Sequence, residues 1–457
     1  MKTKALAMVL ILILAVPLMA APPDGSRRPL SASSATIDNE QYINVNRILM
    51  FVTNHGNFGR DLSGVFGYDA GTFFPYSTVE AIENGSQTAY CNYASGLWIG
   101  GKVDGETRVI ISEYSDEYVP GPMANETYQA DNPAFKLYKL YRDSLADNPN
   151  SDYLNWPYDQ GAPWDTLDNG DRIPDMVGDQ MLWSVYNDAN PAQHGNDAGK
   201  TEPLGIEVRQ STFAFDRQGA LGNIIFVRLG VYNKGPNTIE DCYISLWADP
   251  DLGGYTDDFV GCDTLLSLGY VYNGDNSDTD YGTAIPCMGY DFFQGPMEPG
   301  LASDTARMWG QLWPGFTNRG MDSFNKYING TDPNDYNETY NYMQGLAANG
   351  DPYVFDGDTL LYMHSGDPVV AAGDPTYTGD LDADPADRRW MQSTGPITFE
   401  PGDSTEIIAA IIVGHGSDRF ESITRMKELD EFAQIVYENN FNPPEAPAKP
   451  NVCVAAE

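Results

Sequence analysis

The chain has 457 residues, enough for two or three ordinary domains, and its 42 % hydrophobic and 12 % aromatic content can fill a large core. It carries 65 acids against 26 bases, a net charge of −39. A surface this acidic repels nucleic acid and anionic membrane, and it favours cations and solubility.

The first residues, MKTKALAMVLILILAVPLMAAPPDG, place Lys2 and Lys4 ahead of an apolar run, then Pro17, Ala20 and Ala21. This pattern reads as a secretory signal peptide over 1–20, with the mature chain beginning near Ala21 outside the cytoplasm. The apolar run is short for a membrane span, and no later segment is apolar enough for one. Residues 21–43 are rich in Pro, Ser and Ala and read as a disordered lead-in.

A loop-rich β domain is expected over 44–200. NRILMFVTNHG is a strand candidate. GLWIGGKVDGETRVIISEY is a hairpin, because Asp104-Gly105 supplies a type I′ turn between two β-rich runs. The stretch 115–200 is dense in Pro, Asn, Asp and aromatics and reads as long loops wrapping over a sheet.

A β-sandwich is expected over 201–441. LGIEVRQSTFAF and LGNIIFVRLGVYNKG alternate at period two, with Ile225, Val227, Leu229 and Val231 on one face. NKGPNT is a turn. IEDCYISLW is the next strand, with Ile244 and Leu246 on one face and Tyr243 and Trp247 on the other. TLLSLGYVYN follows. GPITFEPGDSTEIIAAIIVGHG reads as a hairpin about Pro401-Gly402-Asp403, with its second strand apolar on both faces and therefore central. Residues 300–392 read as a long insertion. Several strands with short turns and few helices argue for a mainly β fold, an antiparallel β-sandwich with long loop insertions.

One amphipathic C-terminal helix is signalled over 418–440. Asp418 caps it, Glu421 completes a capping box, and Phe420, Ile423 and Phe432 lie on the face expected to dock. Beyond it, 442–457 is a Pro-rich linker whose last residues read as the first half of a strand entering a further, absent domain.

The five cysteines, Cys91, Cys242, Cys262, Cys287 and Cys453, form no CxxC pair and no zinc spacing. Cys242 and Cys262 flank an acidic loop and are the first pair to consider for a disulfide in an oxidising compartment. The alternative is that all are buried small apolar residues.

The blocks ASGLWIGGKVDGETRVIISEYSDEYVPGP, GDQMLWSVYND, LGIEVRQSTFAFDRQGALGNIIFV, SLWADPDLGGYTDDFVGCDT, SLGYVYN, GYDFFQGP and STGPITFEPGDSTEIIAAIIV resemble those of large, functionally uncharacterised secreted bacterial proteins. Such proteins often continue into fibronectin type III-like modules, sometimes with a sorting signal for type IX secretion. The resemblance spans most of 44–440 and implies a secreted β-rich protein. It implies no catalytic residue.

Histidine is scarce, and no HExxH, GxSxG or P-loop occurs. Ser417 near His415 reads as a helix cap rather than a catalytic pair. A glycosidase needs only two carboxylates, but no pair stands out. Exposed aromatics among the 8 Trp and 28 Tyr are one route to a sugar platform; core filling is the other. The sequons at Asn84, Asn125, Asn329 and Asn337 read as chance in a bacterial-looking chain.

Acidic loops are the more specific signal. LWADPDLGGYTDDFVGCD holds Asp249, Asp251, Asp257, Asp258 and Asp263. DTLDNGDRIPD holds Asp165, Asp168, Asn169 and Asp171, a partial match to an EF-hand loop with Leu167 and Met176 at ligand positions. GDLDADPADRR holds Asp380, Asp382, Asp384 and Asp387, and NGDNSDTDYG holds Asp275, Asp278 and Asp280. Hard oxygen ligands suit Ca2+. Solvated aspartates that form turns and caps are the competing account. In the calcium reading Asp249, Asp251, Asp257 and Asp258 are ligands and Asp263 supports them. The expected function is a secreted or cell-surface structural or adhesion-type protein stabilised by calcium. Its expected partners are cell-surface or matrix components, polysaccharide, or further domains of the same full-length chain. The alternative is a carbohydrate-binding or carbohydrate-active extracellular protein.

Overall fold

A computed structural model of the chain describes residues 40–123, 132–142, 150–328 and 331–443. The expected signal peptide, most of the lead-in, nearly all of the linker, Cys453 and the sequons at Asn125 and Asn329 lie outside them. Among the described residues the fold is mainly β, with two large antiparallel sheets packed face to face. The first is eight-stranded and runs Glu40–Ile43, Met50–Thr53, Asn57–Gly59, Ala94–Val103, Ile239–Asp249, Arg388–Phe399, Ser323–Ile328, with Glu106–Ile110 paired onto Ala94–Val103. The second is nine-stranded and runs Asp258–Asp263, Leu268–Asn273, Pro286–Gln294, Ser404–His415, Ile224–Asn233, Ile206–Ala214, Gln180–Asn187, Val119–Pro120, with Tyr138–Tyr141 also on Gln180–Asn187.

Period-two patterning explains the packing. Ile225, Val227, Leu229 and Val231 meet Leu97, Ile99, Ile244 and Leu246 in one buried cluster between the sheets. The alternate residues Ile224 and Phe226 face outward under the C-terminal helix, so the centre of the second sheet is apolar on both faces. The outer face of the first sheet buries Trp98 and Trp247, stacked 5.8 Å apart, beneath the short helix Tyr336–Met343.

The hairpin at Asp104-Gly105 forms as expected, with φ of 51° and 82° at its two turn residues and Val103 opposite Glu106. The expected hairpin at Pro401-Gly402-Asp403 does not. Arg388–Phe399 pairs with Ile239–Asp249 in the first sheet, whereas Ser404–His415 lies between Ile224–Asn233 and Pro286–Gln294 in the second. The turn carries the chain from sheet to sheet. NKGPNT does the same between Ile224–Asn233 and Ile239–Asp249, as does the acidic loop between Ile239–Asp249 and Asp258–Asp263. Turn residues mark a reversal but not whether the returning strand pairs or packs.

Other boundaries also move. Residues 40–43, expected in the lead-in, form an edge strand. The expected division near 200 is not a division of the sheets, since Ala94–Val103 pairs with Ile239–Asp249 and Gln180–Asn187 with Ile206–Ala214. Within 115–200 lies the fully buried strand Gln180–Asn187, which has no alternation to reveal it because both its faces are covered. The 300–392 insertion contributes the edge strand Ser323–Ile328 to the first sheet. Cys242 and Cys262 are not joined; Cys91, Cys242, Cys262 and Cys287 are all free and buried.

The helix Arg419–Glu438 is capped by Asp418, which accepts from the amides of Phe420 and Glu421. Glu421 reaches the amide of Ser417, one residue before the cap, so the capping box is a displaced version of the expected one. Ile423, Met426, Ala433 and Val436 are buried against the second sheet, while Phe420 and Phe432 are only half-buried at the margin. No helix among the described residues is long and apolar enough to cross a membrane.

Candidate metal centre

The acidic loop lies at the end of the sandwich where the chain leaves Trp247. Asp249 is the last residue of its strand and Asp258 the first of the next, so strand ends in opposite sheets fix both acids. Two backbone contacts tie the loop to the neighbouring strand Tyr90–Asn92 and the residue after it: Tyr93 N–H donates to the Asp249 carbonyl at 3.0 Å and Gly253 N–H to the Tyr90 carbonyl at 3.0 Å. Gly253 sits at φ +70°, and a Cβ there would lie 2.2 Å from Asp278 Oδ1, so the close turn needs glycine.

A third acid arrives from far along the chain. Ala386 N–H donates 3.1 Å to the Asp258 carbonyl, and Trp390 pairs with Ala248. These contacts bring Asp387 and Arg389 beside the loop. One carboxylate oxygen from each of Asp249, Asp251 and Asp387 lies within 4.8 Å of the others. Arg389 lies against the cluster, with Nε 3.5 Å from Asp249 Oδ1, Nη2 4.0 Å from Asp387 Oδ1 and Nη1 3.2 Å from Asp332. Tyr114 donates its hydroxyl to Asp249 Oδ2 and accepts from Arg389 Nε at 3.0 Å.

The electrostatics are unbalanced. Asp249 is 2 % and Asp258 1 % exposed, and Oδ1 of each has no hydrogen-bond donor. Burial pushes the Asp249 carboxyl up to about 6, with Arg389 opposing and Asp387 adding to the rise. Asp251 is pushed well above the carboxylate range by burial, then by Asp249, Asp387 and Asp258. Asp258 is pushed up chiefly by burial, although the Leu252 amide donates to it. Carboxylates about 4 Å apart repel by roughly 4 kcal/mol at the effective dielectric of a protein surface. One guanidinium does not offset four carboxyl groups. The arrangement calls for protons or a cation.

The remaining expected ligands are placed elsewhere. Asp257 faces the 275–281 loop, accepting from Asn273 Nδ2 at 3.2 Å. In that loop Asp278 accepts from the amides of Gly254, Asp280 and Tyr281, and so shapes the backbone. Asp263 is at the far end of its strand, 2.9 Å from Lys427. Asp382 is fully engaged by Arg388 at 2.8 and 3.1 Å, Lys326 at 3.2 Å and the Val260 amide at 3.0 Å. Asp380 accepts from the His364 amide at 2.7 Å and the Tyr353 hydroxyl at 2.9 Å, and Asp384 is exposed. Asp165, Asp168, Asn169 and Asp171 lie on the exposed hairpin Trp164–Thr166/Arg172–Pro174, where Asn169 and Asp171 bond each other. Asp263, Asp380 and Asp382 thus serve in ion pairs and hydrogen bonds, Asp278 in shaping its loop, and Asn169 and Asp171 in a turn. Ser417 is not the cap, which is Asp418; it lies one residue earlier and donates its hydroxyl and its amide to the Glu421 carboxylate. Asp387 was visible only as part of a different loop, and nothing in local spacing joins it, Tyr114 or Arg389 to Asp249.

No protein-family model matches the chain, and no curated protein matches it. Among solved structures it is similar to an Escherichia coli K12 protein provisionally assigned as an aldose 1-epimerase. The match has 8 % identity and a TM-score of 0.28, and it covers 82 % of this chain and 99 % of that one. A likeness at that level bears on neither site nor activity.

Proposed function

We propose that this chain is a non-catalytic structural module of a secreted or cell-surface protein, and that calcium clamps its two sheets at the Asp249–Asp258 crossing. The observation that carries the reading is the convergence of Asp249, Asp251 and Asp387 oxygens within 4.8 Å, next to a buried Asp258 oxygen without a donor. Oxygen-only donors on two strand ends and a glycine-bearing loop suit a hard cation with flexible coordination. The basic, apolar and small-residue pattern of the first twenty residues, the acidic surface and the resemblance to large secreted bacterial proteins support export. They also support partners among surface or matrix components, or further modules of the same full-length chain.

Extracellular calcium modules bind at roughly 10⁻⁴–10⁻³ M, so millimolar calcium would occupy such a site. At a hundredfold excess over the dissociation constant the ion adds about 2.7 kcal/mol to folding. The test is thermal unfolding in millimolar calcium and in chelator, on wild type and on Asp251→Asn/Asp387→Asn. Calcium should raise the wild-type midpoint and leave the double variant unmoved. A wild-type midpoint indifferent to chelator, or a double variant that still responds like wild type, refutes the reading.

A further inference from the structure

A second site is built on the outer side of the edge strand Ser323–Ile328, beside the acidic crossing, since Tyr327 pairs with Arg389, but with a lining that includes none of Asp249, Asp251 and Asp387. There a cavity of about 380 Å³ is walled by Asn325, Lys326, Tyr327, Tyr342, Asp384 and Arg388. That volume falls within the size range of small-ligand pockets. Tyr327 and Tyr342 stack on each other with centroids 5.0 Å apart, 4 % and 6 % exposed, and give the cavity an aromatic border where they meet it. Asn325 has no solvent exposure; its Nδ2 donates to the Leu346 carbonyl, which fixes the amide orientation and leaves Oδ1 without a donor. A buried carbonyl oxygen in that state costs about 1–3 kcal/mol unless a guest supplies the hydrogen.

The charges select the guest. Lys326 and Arg388 would favour an anion if they were free. Both are held by Asp382, Lys326 Nζ at 3.2 Å and Arg388 at 2.8 and 3.1 Å, and Asp384 adds another carboxylate at the wall. The lining is therefore close to neutral, with acceptors at Asn325 and Asp384, a donor at Lys326, whose ammonium spends one N–H on Asp382, and an aromatic side; Arg388 is occupied by Asp382 and the Ala383 and Asp384 carbonyls. Groups that both donate and accept, set on a ring with an apolar C–H face, satisfy all of these at once. We propose that this cavity binds a neutral sugar residue, as a free monosaccharide or as one unit of a polysaccharide. Hydroxyls of the sugar donate to Asn325 Oδ1 and Asp384, and its C–H face lies along the tyrosines. Water alone would meet the Asn325 oxygen but would gain nothing from the aromatic border.

The experiment is calorimetric titration of the whole protein with D-glucose, D-galactose, D-mannose and N-acetyl-D-glucosamine, run with and without calcium. Saturable binding of at least one is expected. Ala383 is exposed at the cavity mouth, and Ala383→Trp should block the opening and weaken binding more than about tenfold with an unchanged melting midpoint. Asp384→Ala, also at an exposed position, provides an independent variant and should weaken binding by a smaller factor. Absence of saturable binding for every sugar at millimolar concentration overturns the proposal. So does binding that both variants leave intact.

Discussion

Asn233 holds Phe399: its Nδ2 donates 2.8 Å to the Phe399 carbonyl and 2.9 Å to that of Asn237. Backbone bonds from Asn233 N–H to Asp403 and from Gly402 N–H to Asn233 complete the join. One side chain thus fastens two sheet-to-sheet crossings that are far apart in sequence. Asn233→Ala takes the side-chain donor from the buried Phe399 carbonyl, at about 1–3 kcal/mol, and from the partly buried Asn237 carbonyl, at less. We expect a loss of about 2–4 kcal/mol in urea unfolding, and Asn233→Asp should be as damaging because it also lacks the donor. A loss below about 0.5 kcal/mol would show that the crossings are held by the backbone alone.

Beneath the C-terminal helix, Asp430 meets Asp291 of the second sheet, each 2 % exposed. Burial pushes Asp430 up to about 7 and Asp291 well above the carboxylate range, with the Asp430 carboxyl adding to the rise at Asp291. Lys427 does not relieve them, being engaged by Asp263 at 2.9 Å and Asp367 at 3.1 Å. The folded state holds protons here that the unfolded chain releases near its ordinary value of 3.8. The contribution is therefore fully present below about pH 4 and is lost as pH rises through 7. Unfolding free energy should fall by an amount on the order of a few kcal/mol between pH 4 and 8 from this pair. Asp291→Asn/Asp430→Asn should flatten that slope, and an unchanged slope in the double variant would assign it elsewhere.

The docking face of the helix is narrower than its apolar pattern. Ile423 is fully buried, so Ile423→Ala should cost about 2–4 kcal/mol. Phe432 is half-buried, and Phe432→Ala should cost only about 1–2 kcal/mol, short of the 3–5 typical of a core ring. Equal losses from the two in denaturant unfolding would mean that Phe432 lies deeper than its place at the margin.

Burial pushes the thiols of Cys91 and Cys242 up to about 12, and those of Cys262 and Cys287 higher still. Such thiols are unreactive. All four should resist a water-soluble thiol reagent in the native state and react only on unfolding. Reductant should leave the melting midpoint unmoved. A drop in midpoint under reductant would reveal a cross-link.

The β architecture was legible because alternation marks strands buried on one face, as at Ile225, Val227, Leu229 and Val231. The cap at Asp418 and the turn at Asp104-Gly105 were legible because each is set by chemistry within a few residues. Strand partners were not. The turn at Pro401-Gly402 has the same composition whether it closes a hairpin or crosses between sheets, and Gln180–Asn187 carries no period because both its faces are covered. The candidate centre was half legible. Asp249 and Asp251 are neighbours in sequence, whereas Asp387 and Arg389 reach them through the Asp258–Ala386 bridge and the pairing of Trp390 with Ala248. Long-range pairing of that kind leaves no trace in spacing.

The position of Ser404–His415 bears on how the chain is made. The strand that fills the gap between Ile224–Asn233 and Pro286–Gln294 is the last of the described strands in chain order, and Arg388–Phe399, which joins Ser323–Ile328 to the first sheet, comes just before it. Until those residues emerge, both flanking strands present open backbone edges and apolar faces, the features that invite aggregation. A chain cut anywhere before 404 therefore lacks a central strand of the second sheet rather than its margin, and leaves Ile224–Asn233 and Pro286–Gln294 unjoined.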